Sequence, residues 1–115
     1  MASLEPRTGR EQEGQRPALV LSNDGFNRHF PLLTVLPLTG FEGKRRKVYT
    51  VEVLLPAGAA GNPRDSIVMP HQIRTISSGR VDQILGSLRA PQLRAEVEAR
   101  VLEHLGIGLA DALPG

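Results

Sequence analysis

Two places in this chain combine side-chain types and spacing suited to chemistry. The first is Gly14-Gln15-Arg16-Pro17-Ala18-Leu19-Val20-Leu21-Ser22, where one arginine directly precedes a proline. Pro17 fixes its own φ and biases Arg16 towards an extended conformation. The apolar run Ala18–Leu21 suits a strand buried on both faces. Arg16 therefore stands at the mouth of a core strand on stiff backbone. That mount suits a guanidinium held against an anionic ligand, and equally a surface ion pair. The second place is His71, between Met69-Pro70 and Gln72-Ile73-Arg74-Thr75-Ile76. An imidazole can carry a proton near neutrality or serve as a structural hydrogen-bonding group. On a regular strand residues 71 and 74 would face opposite sides, and Pro70 leaves that geometry open.

Several other chemistries are disfavoured. The chain has no cysteine, hence no disulfide, thiol nucleophile or cysteine-ligated zinc. His29, His71 and His104 lack ligand spacing, and the carboxylates do not cluster around them. There is no glycine-rich phosphate loop followed by lysine, and no serine stands in a nucleophile elbow. No apolar run approaches the roughly 18 residues of a membrane span, and the N-terminus has no signal-type apolar stretch. These features predict a soluble cytoplasmic protein, and a length of 115 residues predicts a single domain over 1–115.

The formal net charge is only +2, but it is unevenly placed. Residues 1–89 carry 12 basic and 8 acidic side chains, whereas residues 90–115 carry 2 basic and 4 acidic. All the basic residues except Lys44 and Lys47 are arginine, whose planar fork matches phosphate. A polyanionic partner for the first part of the chain fits this bias. So does a GC-rich coding preference, given the abundance of Ala, Gly and Pro. Phe26, Phe30 and Phe41 fall in loop-like segments, where they could stack on unpaired bases or pad the ends of a barrel.

The elements that must position these residues are short. Arg7–Gln15 reads as a polar loop, and Ala18–Ser22 as the first strand. Asn23-Asp24-Gly25 breaks that strand, and Phe26–Phe30 follows as one helical turn. Leu32–Leu38 reads as a second buried strand, with Pro37 marking an edge or bulge, and Thr39-Gly40 ends it. Val48–Leu54 alternates and reads as a third strand, and Pro56–Arg64 as a loop. Ser66–Met69, Gln72–Ile76 and Val81–Leu88 are further strand-like pieces, the last with Gly86 as a candidate bulge. Pro91–Leu105 carries Leu93, Val97, Val101 and Leu105 at four-residue spacing, closed by Gly106, and predicts a helix. The pattern predicts a mainly β fold with some α: a small, strongly bent barrel with a C-terminal helix packed on it.

Separated blocks in one order carry a family resemblance. They are Glu5-Pro6, Thr8-Gly9-Arg10-Glu11-Gln12, Gly14–Ser22, Phe26-Asn27-Arg28, Pro37-Leu38-Thr39, Asp65-Ser66-Ile67-Val68 and Gln72-Ile73-Arg74-Thr75-Ile76. Together they resemble the MazF/PemK/Kid toxins of type II toxin–antitoxin pairs, from about residue 4 to the C-terminal helix. The resemblance implies an SH3-like, CcdB-like barrel that works as a homodimer. It implies a sequence-specific, metal-free endoribonuclease acting on single-stranded RNA, with no cofactor. It also implies neutralisation by a MazE-like antitoxin whose acidic C-terminal tail covers the RNA groove, so that DNA is met only through the antitoxin. On this resemblance Arg16, Thr39 and His71 are the expected catalytic residues. Arg10, Gln12, Asn27, Arg28, Gln72 and Arg74 are the expected RNA contacts. The loops Asn23–Pro31, Thr39–Lys47 and Pro56–Arg64 would set specificity.

Three departures stand out. His71 occupies a place where many relatives carry an aspartate, so it would have to substitute as base. Arg10 stands where some relatives carry a histidine. The strand of Gly-Asp-Ile-Val-Leu-Val type with which relatives begin is represented only by Met1–Leu4, which predicts a start upstream of Met1 or a weakened barrel edge. Two alternatives remain at this level: a CcdB-like inhibitor of DNA gyrase that acts by protein contact, and an RNA-binding barrel without catalysis.

Overall fold

The computed structural model describes residues 7–11, 17–41 and 47–108. The fold is organised by two adjacent strands that are apolar on both faces, β2 (Pro17–Val20) and β3 (Leu32–Gly40). They pair antiparallel, with Ala18 opposite Pro37 and Val20 opposite Val35. Successive side chains of a strand point to opposite faces, so this pair feeds two cores. Ala18, Val20, Leu33 and Val35 join Ile76 in the smaller one. Leu19, Leu36 and Leu38 join Val53, Leu55, Val68, Leu88, Val97 and Val101 in the larger.

The remaining strands extend this pair in both directions. On one side lie β1 (Arg7–Glu11) and then β7 (Val81–Ser87). On the other, β3 changes partner along its length. Its first half pairs β6 (Arg74–Ser77), and its second half pairs β5 (Ser66–Val68), which in turn pairs β4 (Val53–Leu55). Pro37 sits at the changeover, between Val35 opposite Arg74 and Leu38 opposite Val68. Its carbonyl accepts from the Met69 N–H at 3.0 Å. Its missing donor thus falls where no ladder needs one. A single turn of 3-10 helix, Pro70–Gln72, fills the gap between β5 and β6. β6 and β7 are joined by a second such turn, Ser78–Arg80, so the sheet curls into a bent, open barrel.

The helix α2 (Pro91–Leu105) closes the larger core. Pro91 occupies its first turn, where no N–H is needed. Gly106 ends it in the left-handed region (φ 71°), donating to the Glu103 carbonyl, while the Ile107 N–H donates to the Leu102 carbonyl. The four-residue apolar stripe is buried only as far as Val101; Leu102 and Leu105 are exposed.

Three segments differ from the sequence expectation. Arg7–Glu11 is a strand, not a loop. Its backbone is paired on both sides, with β2 and with β7, so its polar composition does not decide its conformation. The strand expected at Val48–Leu54 is regular only from Val53. Before it, the Tyr49 N–H donates to Glu52 Oε1 and the Glu52 N–H to the Tyr49 carbonyl, which makes a turn. The strand expected over Gln72–Ile76 begins at Arg74, because the 3-10 turn consumes Gln72. The irregularity expected near Gly86 is present. Thr8 faces Gly86 while the next residue, Gly9, faces Ile84, which leaves Leu85 as the extra residue of a bulge.

The short helix α1 (Asp24–His29) depends on Asn23, whose Oδ1 accepts from the Phe26 N–H at 2.9 Å. Removing that cap in Asn23→Ala is expected to cost about 1 kcal/mol of unfolding free energy, read by urea denaturation.

Candidate functional site

A groove of about 510 Å³ opens where β3 changes partners. Thr39, Gln72 and Arg74 line it together, as do Arg64 and Ser66. Each is placed by a specific piece of backbone. Thr39 follows Leu38, which anchors in the larger core, and is held opposite Ile67 in the β3–β5 ladder. Gln72 closes the 3-10 turn, its N–H donating to the Met69 carbonyl at 3.0 Å. Arg74 starts β6 opposite Val35 and projects from an exposed position. Pro17, Pro37, Met69 and Leu85 provide an apolar floor.

Among the described lining residues there are two arginines and no carboxylate. A hydroxyl, a carboxamide and two guanidiniums are all hydrogen-bond donors, and the guanidiniums bind phosphate oxygens in fork geometry. A prolyl and methionyl floor offers flat apolar surface to a base. Such a donor set can hold a phosphodiester. Among the described residues no group of His, Asp and Glu has the arrangement of a metal site.

The other expected site residues are distributed as follows. Arg16 and Gln12 lie outside the described residues, and Arg16 is joined by one peptide bond to Pro17 on the groove floor. Arg10 belongs to β1 opposite Pro17 and Gln83, with its side chain outside what is described. Asn27 and Arg28 are not in the groove. They line a second pocket of about 380 Å³ with Arg7 and Asp24, which form an ion pair at 3.0 Å. Asn27 has a structural task there: its Oδ1 accepts from Ser22 Oγ at 2.6 Å and its Nδ2 donates to the Ser22 carbonyl. His71 sits in the same 3-10 turn as Gln72 but does not line the groove, and its buried Nδ1 has no hydrogen-bond partner.

Residues 1–105 match the family model described as PemK-like, MazF-like toxin of type II toxin-antitoxin system. The chain belongs to the PemK/MazF toxin family. Its PemK/MazF relatives include endoribonuclease EndoA of Bacillus subtilis strain 168, which is 37% identical over 109 residues, covering 95% of this chain and 88% of the relative. Endoribonuclease MazF9 of Mycobacterium tuberculosis is 34% identical over 109 residues, covering 90% of this chain and 89% of the relative. Among solved structures, a MazE–MazF complex from Deinococcus radiodurans superposes with a TM-score of 0.73 at 28% identity, covering 94% of this chain and all of that one. The PemK/MazF fold therefore extends along nearly the whole chain.

Asn62 and Arg64 also line the groove; the sequence placed them only within the Pro56–Arg64 loop expected to set specificity, not as individual site residues. The available signal was Asn62-Pro63, a turn-forming pair directly before the Asp65–Val68 block.

Proposed function

We propose that this chain is the endoribonuclease toxin of a type II toxin–antitoxin pair. It cuts single-stranded RNA at the groove between β3, β5 and β6, without a metal ion. The observation that carries this reading is the meeting of Thr39, Gln72 and Arg74 in one groove whose floor includes the residue after Arg16. The substrate's own 2′-oxygen attacks the adjacent phosphorus, and the bond from phosphorus to the 5′-oxygen breaks. The 2′ proton passes to a base, and the leaving 5′-oxygen gains a proton. Arg16 stabilises charge on the phosphorane oxygens and can donate to the leaving oxygen. Thr39 hydrogen-bonds the scissile phosphate. Gln72 and Arg74 hold flanking nucleotides, with Arg10 and Gln12 contributing from β1 and the segment after it. A base role for His71 runs through Nε2, since Nδ1 is enclosed by protein.

The partners follow from the same surface. An acidic segment of a MazE-like antitoxin would meet the same arginines and exclude RNA, and the toxin acts as a homodimer. The test is incubation of the purified chain with a mixed-sequence RNA in EDTA, with mass spectrometry of the ends. Products with a 2′,3′-cyclic phosphate and a 5′-hydroxyl are expected. Cleavage that needs added metal, or 3′-hydroxyl ends, would defeat the mechanism. Binding without cutting would select a non-catalytic RNA-binding barrel. In the same assay, His71→Ala at full rate would remove His71 from the reaction.

A further inference from the structure

Part of the groove lining, Asn62, Pro63 and Arg64, comes from a loop, residues 56–65, that is fixed by a dense set of hydrogen bonds. Its centre is Asn62, 2% exposed. The Asn62 Nδ2 donates to the carbonyls of Leu55 (3.3 Å), Pro56 (3.1 Å) and Arg64 (2.8 Å), and its Oδ1 accepts from the Ala60 N–H at 3.0 Å. The Arg64 carbonyl accepts a second bond, from Ser66 Oγ at 2.9 Å. Asp65 Oδ1 accepts from the Ala57 N–H at 2.8 Å across the base of the loop. Burying a carboxamide to orient one short segment is costly unless every polar atom is satisfied. Here the carboxamide is satisfied, and the outcome is a fixed backbone at Arg64. Arg64 lines the same groove as Arg74.

We infer that Arg64 is a substrate-contacting residue that binds an RNA phosphate from the loop side, and that Asn62, with Ser66, is the positioning residue that fixes it there. This rests on the RNA-cleaving reading above. Two guanidiniums lining one groove would hold the strand through two of its phosphates. Arg64 then acts through binding rather than on the bond that breaks.

The experiment measures RNA cleavage and, by fluorescence anisotropy, RNA binding over a range of salt. Arg64→Gln is expected to raise KM about tenfold with kcat nearly unchanged. It should reduce the slope of log affinity against log salt by about 0.7, the value for one lost single-strand phosphate contact. Arg100→Gln, the same charge change on α2, should leave the slope alone. Asn62→Ala should lower the slope like Arg64→Gln, and the double variant should bind no worse than Arg64→Gln alone, because both remove one contact. Should Asn62→Ala fail to fold, Ser66→Ala removes only one of the two donors to the Arg64 carbonyl and should shift KM in the same direction. A wild-type chain that cuts RNA while Arg64→Gln keeps its KM and slope overturns this inference alone. A wild-type chain that neither binds nor cuts RNA overturns both this inference and the reading beneath it.

Discussion

Arg16→Ala is expected to lower kcat for RNA cleavage by about 10²–10³-fold or more, the loss seen when one preorganised donor to a developing oxyanion is removed. Metal-free transesterification places the whole growing charge of the phosphorane on protein donors. A guanidinium supplies both charge and paired N–H groups, which a neutral donor cannot. The groove lining includes Pro17, and a proline restricts the backbone of the residue before it, which suits that residue to a preorganised role. As a polar side chain ahead of the apolar run Ala18–Leu21, Arg16 should be removable without loss of the fold. The measurement is single-turnover cleavage of a defined RNA, with thermal melting alongside. Unchanged cleavage in a folded Arg16→Ala protein would sink the mechanism. Arg16→Lys should recover only part of the rate, because a point charge does not reproduce the fork.

What could be read in the sequence was whatever burial dictates locally. β2 and β3 are continuous apolar runs and α2 begins with an apolar stripe, and Pro37, read as an edge or bulge, falls where β3 changes partner. The groove residues Thr39, Gln72 and Arg74 were found through the family resemblance, and their meeting depends on that partner change. β1 was hidden because its structure comes from neighbours on both sides rather than from its own side chains. Val48–Leu54 misled for the opposite reason. Its alternation was genuine, but a buried glutamate accepting from Tyr49 turned the chain instead. Asn27, expected as an RNA contact, hydrogen-bonds Ser22 and lines the second pocket rather than the groove. Whether a polar side chain serves the fold or a ligand is a question about distant partners, and a linear pattern does not contain them.

Gly61→Ala is expected to destabilise the protein by about 3 kcal/mol, lowering the melting temperature by about 10 °C or more. Two costs combine. Gly61 has φ +80°, where a Cβ costs roughly 1–2 kcal/mol. The added Cβ would also collide with the Leu85 carbonyl and lie 2.9 Å from the Gly86 nitrogen, all backbone of the β7 bulge. The approach is mutual, for a Cβ on Gly86 would come within 2.7 Å of the Ala60 carbonyl oxygen. Gly58 separates the two costs. It has φ +86° in the same loop, but nothing lies within 4 Å of the position its Cβ would take. Gly58→Ala should therefore lose only the backbone part, about 1–2 kcal/mol. The difference between the two variants measures the interlock between loop and bulge. That interlock anchors the loop carrying Asn62 and Arg64 to β7, so Gly61→Ala should also weaken RNA binding at temperatures where the protein is still folded. If the two variants melt together, the loop is held by its hydrogen bonds alone and β7 does not brace the groove wall.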